Sequence, residues 1–271
     1  MKTKLFKFII VFSILSTFIS LDLFSQYGRP FPPCYEGQMA NPPCSNCSNI
    51  IDGEKIINYE NCDVVVKYKI EYCDCPNPTC FVDIEFCRVD IDDCTQLMEK
   101  LHPGTTPYIN NPLDVDYYYG IFEPDMYDML VDLLFQEQKT NYLCPNKLIY
   151  KHFWPAICSR VCYAELSSSE LMQSAIIYMD KRCEDEPYCC GKIYEYCTDS
   201  NGNTSLVELY INDYYECWAS NPNPSEPCPY TVGQLISLDG ILNPANPLWL
   251  VVSTHESSCT SPCSYPPPSQ E

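Results

Sequence analysis

The chain has 271 residues, with 20 Cys, 24 Pro and only 9 Gly, and its 36 Asp and Glu outnumber 16 Lys and Arg to give a net charge of −20. A reducing compartment keeps thiols open, so this cysteine load excludes an ordinary cytosolic enzyme. The acidity excludes a nucleic-acid binder, which needs a cationic footprint, and the scarce glycines form no dinucleotide or phosphate fingerprint.

In chain order, the first element is an export signal over residues 1–25. Lys2, Lys4 and Lys7 precede an apolar run over residues 8–21, which Asp22 interrupts. That run is the length of a signal-peptide core and shorter than the ~20 residues a spanning helix needs. Ser25 is small enough to precede the cut. The product is expected in an oxidising space, secreted, periplasmic or at the cell surface, with no membrane span after cleavage. Residues 26–53 then form an arm rich in Pro, Asn and Cys.

The cysteines fall into nine between Cys34 and Cys94 and eleven between Cys144 and Cys263. Both counts are odd, so complete pairing within the chain requires a bridge between the groups. Zinc is the competing use, because Cys44-x-x-Cys47 and Cys73-x-Cys75 are close pairs. A zinc ribbon wants a second pair of matching spacing, so disulfides are the expected state. Adjacent Cys189 and Cys190 are expected to take separate partners.

Residues 54–98 and 183–263 each hold a predicted β-hairpin, followed in the second by C-terminal strands, and the two hairpins resemble each other. Glu71-Tyr72-Cys73 matches Glu195-Tyr196-Cys197, and Phe81-Val82-Asp83-Ile84 matches Leu206-Val207-Glu208-Leu209. In the first copy, Val64, Val66, Tyr68, Ile70 and Tyr72 alternate with polar residues, the period of a half-buried strand. Asn201-Gly202 favours a two-residue turn in the second copy, which sets Tyr196 opposite Val207. Pairing Tyr72 with Val82 keeps the first copy's apolar face together and places Lys69 opposite Glu85. Cys75 and Cys80 would then flank a turn and bond to each other.

The connecting region, residues 99–182, reads as partly helical. Pro124 and Asp125 suit a helix start, and Met126, Met129, Leu130, Leu133 and Leu134 share a helical face opposite Asp125, Asp128 and Asp132. Ser167-x-x-Glu170 has capping-box form before a second helix through Met179, and Cys158 and Cys162 lie one turn apart if their own stretch is helical. Residues 264–271 form a Pro-rich, disordered tail.

The predicted registers oppose Glu71 to Asp83 and Glu195 to Glu208. Like charges across a sheet repel, and calcium bound by these carboxylates would relieve them. Glu195 and Glu208 are also the candidate pair for a carboxylate hydrolase. Residues 199–204 fail as an EF-hand, since they lack Gly at the sixth position and Glu at the twelfth. The three histidines carry no H-E-x-x-H, and there is no G-x-S-x-G; His152 is expected in an aromatic cluster. Trp218 is expected against a disulfide, and Tyr117 to Tyr119 with Tyr214 and Tyr215 could contact sugars or peptides.

Phe24-Ser25-Gln26, Phe153-Trp-Pro-Ala-x-Cys158 and Cys189-Cys-Gly-x-x-Tyr-x-Tyr-Cys197 resemble uncharacterised cysteine-rich exported proteins of Gram-negative bacteria. The resemblance implies export and no known activity. The fold class expected is α+β, two disulfide-braced antiparallel β-hairpin repeats with a partly helical middle segment. The function expected is that of a secreted, non-catalytic binding or structural protein with a protein or glycan partner outside the cytoplasm. It would need no cofactor beyond calcium at Glu71, Asp83, Glu195 and Glu208. The alternatives are a secreted carboxylate hydrolase, or an inhibitor-like or toxin-like module presenting the Cys75–Cys80 loop.

Overall fold

The computed structural model describes residues 45–48, 50–74, 77–104, 107–155, 159–183, 189–212, 228–238 and 248–260. Within them the chain is a β-rich α+β protein. Its strands are β1 Ser45–Cys47, β2 Ile51–Tyr59, β3 Cys62–Asp74, β4 Thr79–Asp90, β5 Leu148–Pro155, β6 Ser159–Ser168, β7 Gln173–Arg182, β8 Cys189–Thr198, β9 Thr204–Asn212, β10 Leu235–Ser237 and β11 Leu248–Glu256. All eleven join one sheet. Between β4 and β5 lie α1 Thr95–Leu101, a single turn α2 Val115–Tyr117, a π-helical turn Tyr118–Phe122, and α3 Glu123–Gln136.

Alternation in β3 has the predicted consequence. Val64, Val66, Tyr68 and Ile70 are buried against α1 and α3, with Met98, Met126 and Leu130 in the same core. Each such side chain contributes about 1.5–3 kcal/mol when fully buried. Gly53 of β2 pairs with Tyr68, and a Cβ there would lie 2.2 Å from the tyrosine ring. Glycine is required because the ring lies directly over the backbone.

Both predicted hairpin registers are corrected. In the first, Tyr72 faces Cys80 and Glu71 faces Phe81, two residues from the expected pairing. The ladder slips opposite Lys67 and Tyr68, leaving Glu85 without a register partner. This β-bulge turns Phe86 to the opposite face from Val82, into a second core with Ile177, Leu166 and Trp249. In the second hairpin, Tyr196 faces Leu206 and Tyr194 faces Glu208, one residue from expectation. The cause is Asp199, whose carboxylate accepts from the Asn201 and Asn203 N–H groups at 2.7 and 2.8 Å. Asp199 thereby selects a three-residue loop, with Gly202 at φ +83°, over the two-residue turn.

The helix predicted through Met179 is the β6–β7 hairpin. The Ser168 hydroxyl does accept from Leu171 N–H, at 3.4 Å, but it closes a turn. Ile176 and Tyr178 face the helices, while Ala175, Ile177 and Met179 face the second core. A strand covered on both faces reads as a continuous apolar run, which periodicity does not separate from a helix. Cys162 therefore sits on a strand; Cys158 lies outside the described residues. The helix at Pro124 forms as predicted, with its buried face rotated: Tyr127, Val131 and Phe135 are inside and Leu133 is exposed.

Five disulfides are described: Cys47–Cys73, Cys62–Cys94, Cys144–Cys197, Cys162–Cys228 and Cys183–Cys259. Each stays within its own cysteine group. Cys80 and Cys87 are free, buried thiols, which removes the premise of complete pairing. The expected Cys75–Cys80 bridge is absent on the Cys80 side, and Cys75 lies outside the described residues. Among the described residues it is backbone ladders that join the two halves. β4 pairs in parallel with β5 through Thr79–Phe81 and antiparallel with β7 through Cys87–Asp90. The sheet thus forks at β4, with β5-β8-β9 on one branch and β7-β6-β11-β10 on the other.

Candidate functional site

Among the described residues, the fork leaves the middle of β4, residues 82–86, without a strand on that side. Buried ladder groups must find other partners. Tyr127 of α3 supplies one: its hydroxyl accepts from Ile84 N–H at 2.8 Å. His152 of β5 supplies another, through Nδ1 and the Val82 carbonyl at 3.3 Å. The two rings stack with centroids 3.3 Å apart. Burial drives the His152 pKa down to about 3, helped by Lys192 and opposed by the Val82 bond. The imidazole is therefore neutral, with Nδ1 donating to Val82. This is the packed aromatic setting expected for His152.

Carboxyls gather beside this plug. The π-helical turn and the first residue of α3 aim Tyr119 and Glu123 at Asp180 on β7. The Tyr119 hydroxyl donates to Asp180 at 3.1 Å, and Glu123, only 6% exposed, hydrogen-bonds the same carboxyl. Burial lifts Asp180 to about 6, against the pull of Glu123, Tyr119 and Lys181. Asp83 on β4 rises to about 7, chiefly by burial, with Lys69 and Lys181 opposing and Glu85 and Asp180 adding. The free thiol of Cys87 is pushed well up by burial and by the charges of Glu123 and Asp180. Carboxyls that titrate near neutrality can exchange protons.

A second polar group lies under α3 on the other branch. Lys192 of β8, 4% exposed, places its ammonium 2.7 Å from both Asp128 oxygens and 3.0 Å from Glu208. Tyr194 donates to Asp128 as well. Burial raises Asp128, while Lys192 and Tyr194 hold it down.

The predicted calcium pairs are not formed. Asp83 sits opposite Lys69, whose amine also reaches Glu85, while Glu71 sits opposite Phe81. Glu195 lies between Ile149 and Val207 and is ion-paired with Lys147. Glu208, opposite Tyr194, turns to the other face toward Lys192. The one-residue register change puts Glu195 and Glu208 on opposite faces, so they form neither a calcium pair nor a hydrolase pair. The free Cys80 likewise removes the braced loop on which the inhibitor reading stood.

Of the tyrosine patches, Tyr118 and Tyr119 are buried and Tyr117 is half-buried beneath Lys100. Tyr214, Tyr215 and Trp218, and the side chains of Cys189 and Cys190, lie outside the described residues. A cavity of about 220 Å³ opens at the β2–β3 turn, lined by Glu60, Asp93, Thr95 and Gln96 and by none of the fork carboxyls. Sequence alone does not bring Glu123 and Asp180 to Tyr119, because their meeting depends on the β6–β7 hairpin, whose apolar run has helical form.

Comparison with protein-family models, with curated proteins and with solved structures finds no match.

Proposed function

We infer that this chain is an exported, disulfide-braced, acidic protein that binds or scaffolds partners outside the cytoplasm and turns over no substrate. The observation that carries this reading is how the reactive groups are used. Tyr127 and His152 serve the β4 backbone, Tyr119 and Glu123 serve Asp180, and Lys192 serves Asp128 and Glu208. Five disulfides suit an oxidising space, and among the described residues no helix is long and apolar enough to cross a membrane. Among the described residues β9 ends its branch of the sheet and presents Leu206, Val207 and Leu209 to solvent, and an apolar strand edge favours association.

Duplication of the β3–β4 and β8–β9 hairpins belongs to the same reading. The matching residues Cys73 and Cys197 are each bridged to a cysteine earlier in the chain, Cys47 and Cys144. Purified protein assayed against esters, glycosides and peptides is expected to show no saturable turnover. Turnover that disappears in Asp180→Asn while the variant stays folded would overturn the reading and assign hydrolytic chemistry to the fork.

A further inference from the structure

Pairing of β1 with β3 sets Cys47 directly across from Cys73, and Glu71 precedes Cys73 by two residues on the same face of β3. Both sulfurs and a Glu71 carboxylate oxygen lie within 4.8 Å of one another. In the oxidised protein the sulfurs are bonded to each other and offer no thiolate. We propose that Cys47, Cys73 and Glu71 form a thiol-gated zinc site, closed by the disulfide and opened by a dithiol reductant.

Three features support it. Cys47 is exposed while Cys73 is buried, so an attacking thiolate has access to the Cys47 sulfur. β1 is held to β3 independently of the bridge: Ser48 N–H donates to the Tyr72 carbonyl at 2.7 Å, and Tyr72 N–H to the Ser48 hydroxyl at 3.1 Å. Opening the bond therefore leaves the two sulfurs adjacent. Two thiolates would add two negative charges to an already anionic chain, and a divalent cation offsets them. Zinc takes thiolate at about 2.3 Å and carboxylate at about 2.0–2.2 Å, with water as a fourth ligand. Ligand atoms within 4.8 Å of one another can reach one such ion with small side-chain shifts.

The electron count is simple. The dithiol becomes its own disulfide and gives two electrons and two protons to the Cys47–Cys73 bond. Two thiols result, and Zn²⁺ binding releases those two protons as the sulfurs become thiolates.

The test uses the full folded chain, titrated with dithiothreitol, with opened bridges mapped by alkylation. Cadmium is added as the probe, followed by competition with zinc. The Cys47–Cys73 bridge is expected to open while circular dichroism still reports a folded sheet, and a thiolate-to-cadmium absorption band to appear only then. Glu71→Gln should weaken cadmium binding by roughly tenfold or more, and Cys47→Ser with Cys73→Ser should abolish the band. Persistence of the band in that double variant would place the metal on other thiols and overturn the proposal. So would cadmium binding to the oxidised protein, or loss of the fold before this bridge opens.

Discussion

Lys192 shows what a single buried charge does in this protein. Its ammonium is compensated by Asp128 and Glu208, and removing one member of a buried pair leaves the rest uncompensated. Lys192→Met is expected to cost about 3 kcal/mol in denaturant unfolding, the low end for such a pair because Asp128 reaches solvent. Asp180 gives a pH signature. Its pKa in the fold is raised to about 6 by burial, so its stabilisation is complete below the unfolded value near 4 and is lost as pH climbs through 6. His102 and His152, lowered by burial to about 4 and about 3, act in the opposite sense and weaken the fold as pH drops below 6.5. The clean measurement is therefore a difference. From pH 5 to 8 the stability of Asp180→Asn relative to the parent should rise by about 1 kcal/mol, and a flat difference would show that Asp180 titrates normally. Of these roles only the packed aromatic setting of His152 is legible in the sequence. Asp128 reads as a solvent-facing residue of an amphipathic helix, and only the return of β8 beneath α3 makes it a counter-ion.

At the scale of elements, local pattern identified which segments are strands better than it located their partners. The alternation in β3 and the start of α3 at Pro124 both follow from side chains a few residues apart. The registers do not: in the second hairpin the Asp199 carboxylate moves the ladder by one residue, and in the first the offset is set at the turn, where Tyr72 already faces Cys80, before the bulge at Glu85 moves the faces again. Asp199→Ala is expected to lower the melting temperature and speed amide exchange across the β8–β9 turn; unchanged exchange would show that Asn201-Gly202 alone sets the pairing. The fork has a comparable test. Tyr127→Phe keeps the ring over His152 and removes the hydroxyl that serves Ile84 N–H, so it should cost about 1–3 kcal/mol, the penalty of a buried unpaired donor.

For the whole molecule, cysteine content announced a disulfide framework but not its exceptions. Free thiols at Cys80 and Cys87 follow from their inward position on a covered strand, which counting does not show. Alkylation without reductant should label neither in the native protein and both after denaturation. Loss of Cys183–Cys259 by double alanine substitution should cost about 2–4 kcal/mol, and Cys87→Ala considerably less. The fork itself dictates an order of assembly. β4 borders three strands, and its only neighbour close in sequence is β3. The β3–β4 ribbon can therefore form as soon as residues 62–90 are free to fold, whereas β5 and β7 lie roughly 60 and 85 residues further along the chain. Such distant closures are slow, and until they occur the nascent ribbon carries an uncovered flank open to wrong partners. A chaperone that shields extended apolar segments would find its target there, on the one strand that both branches await.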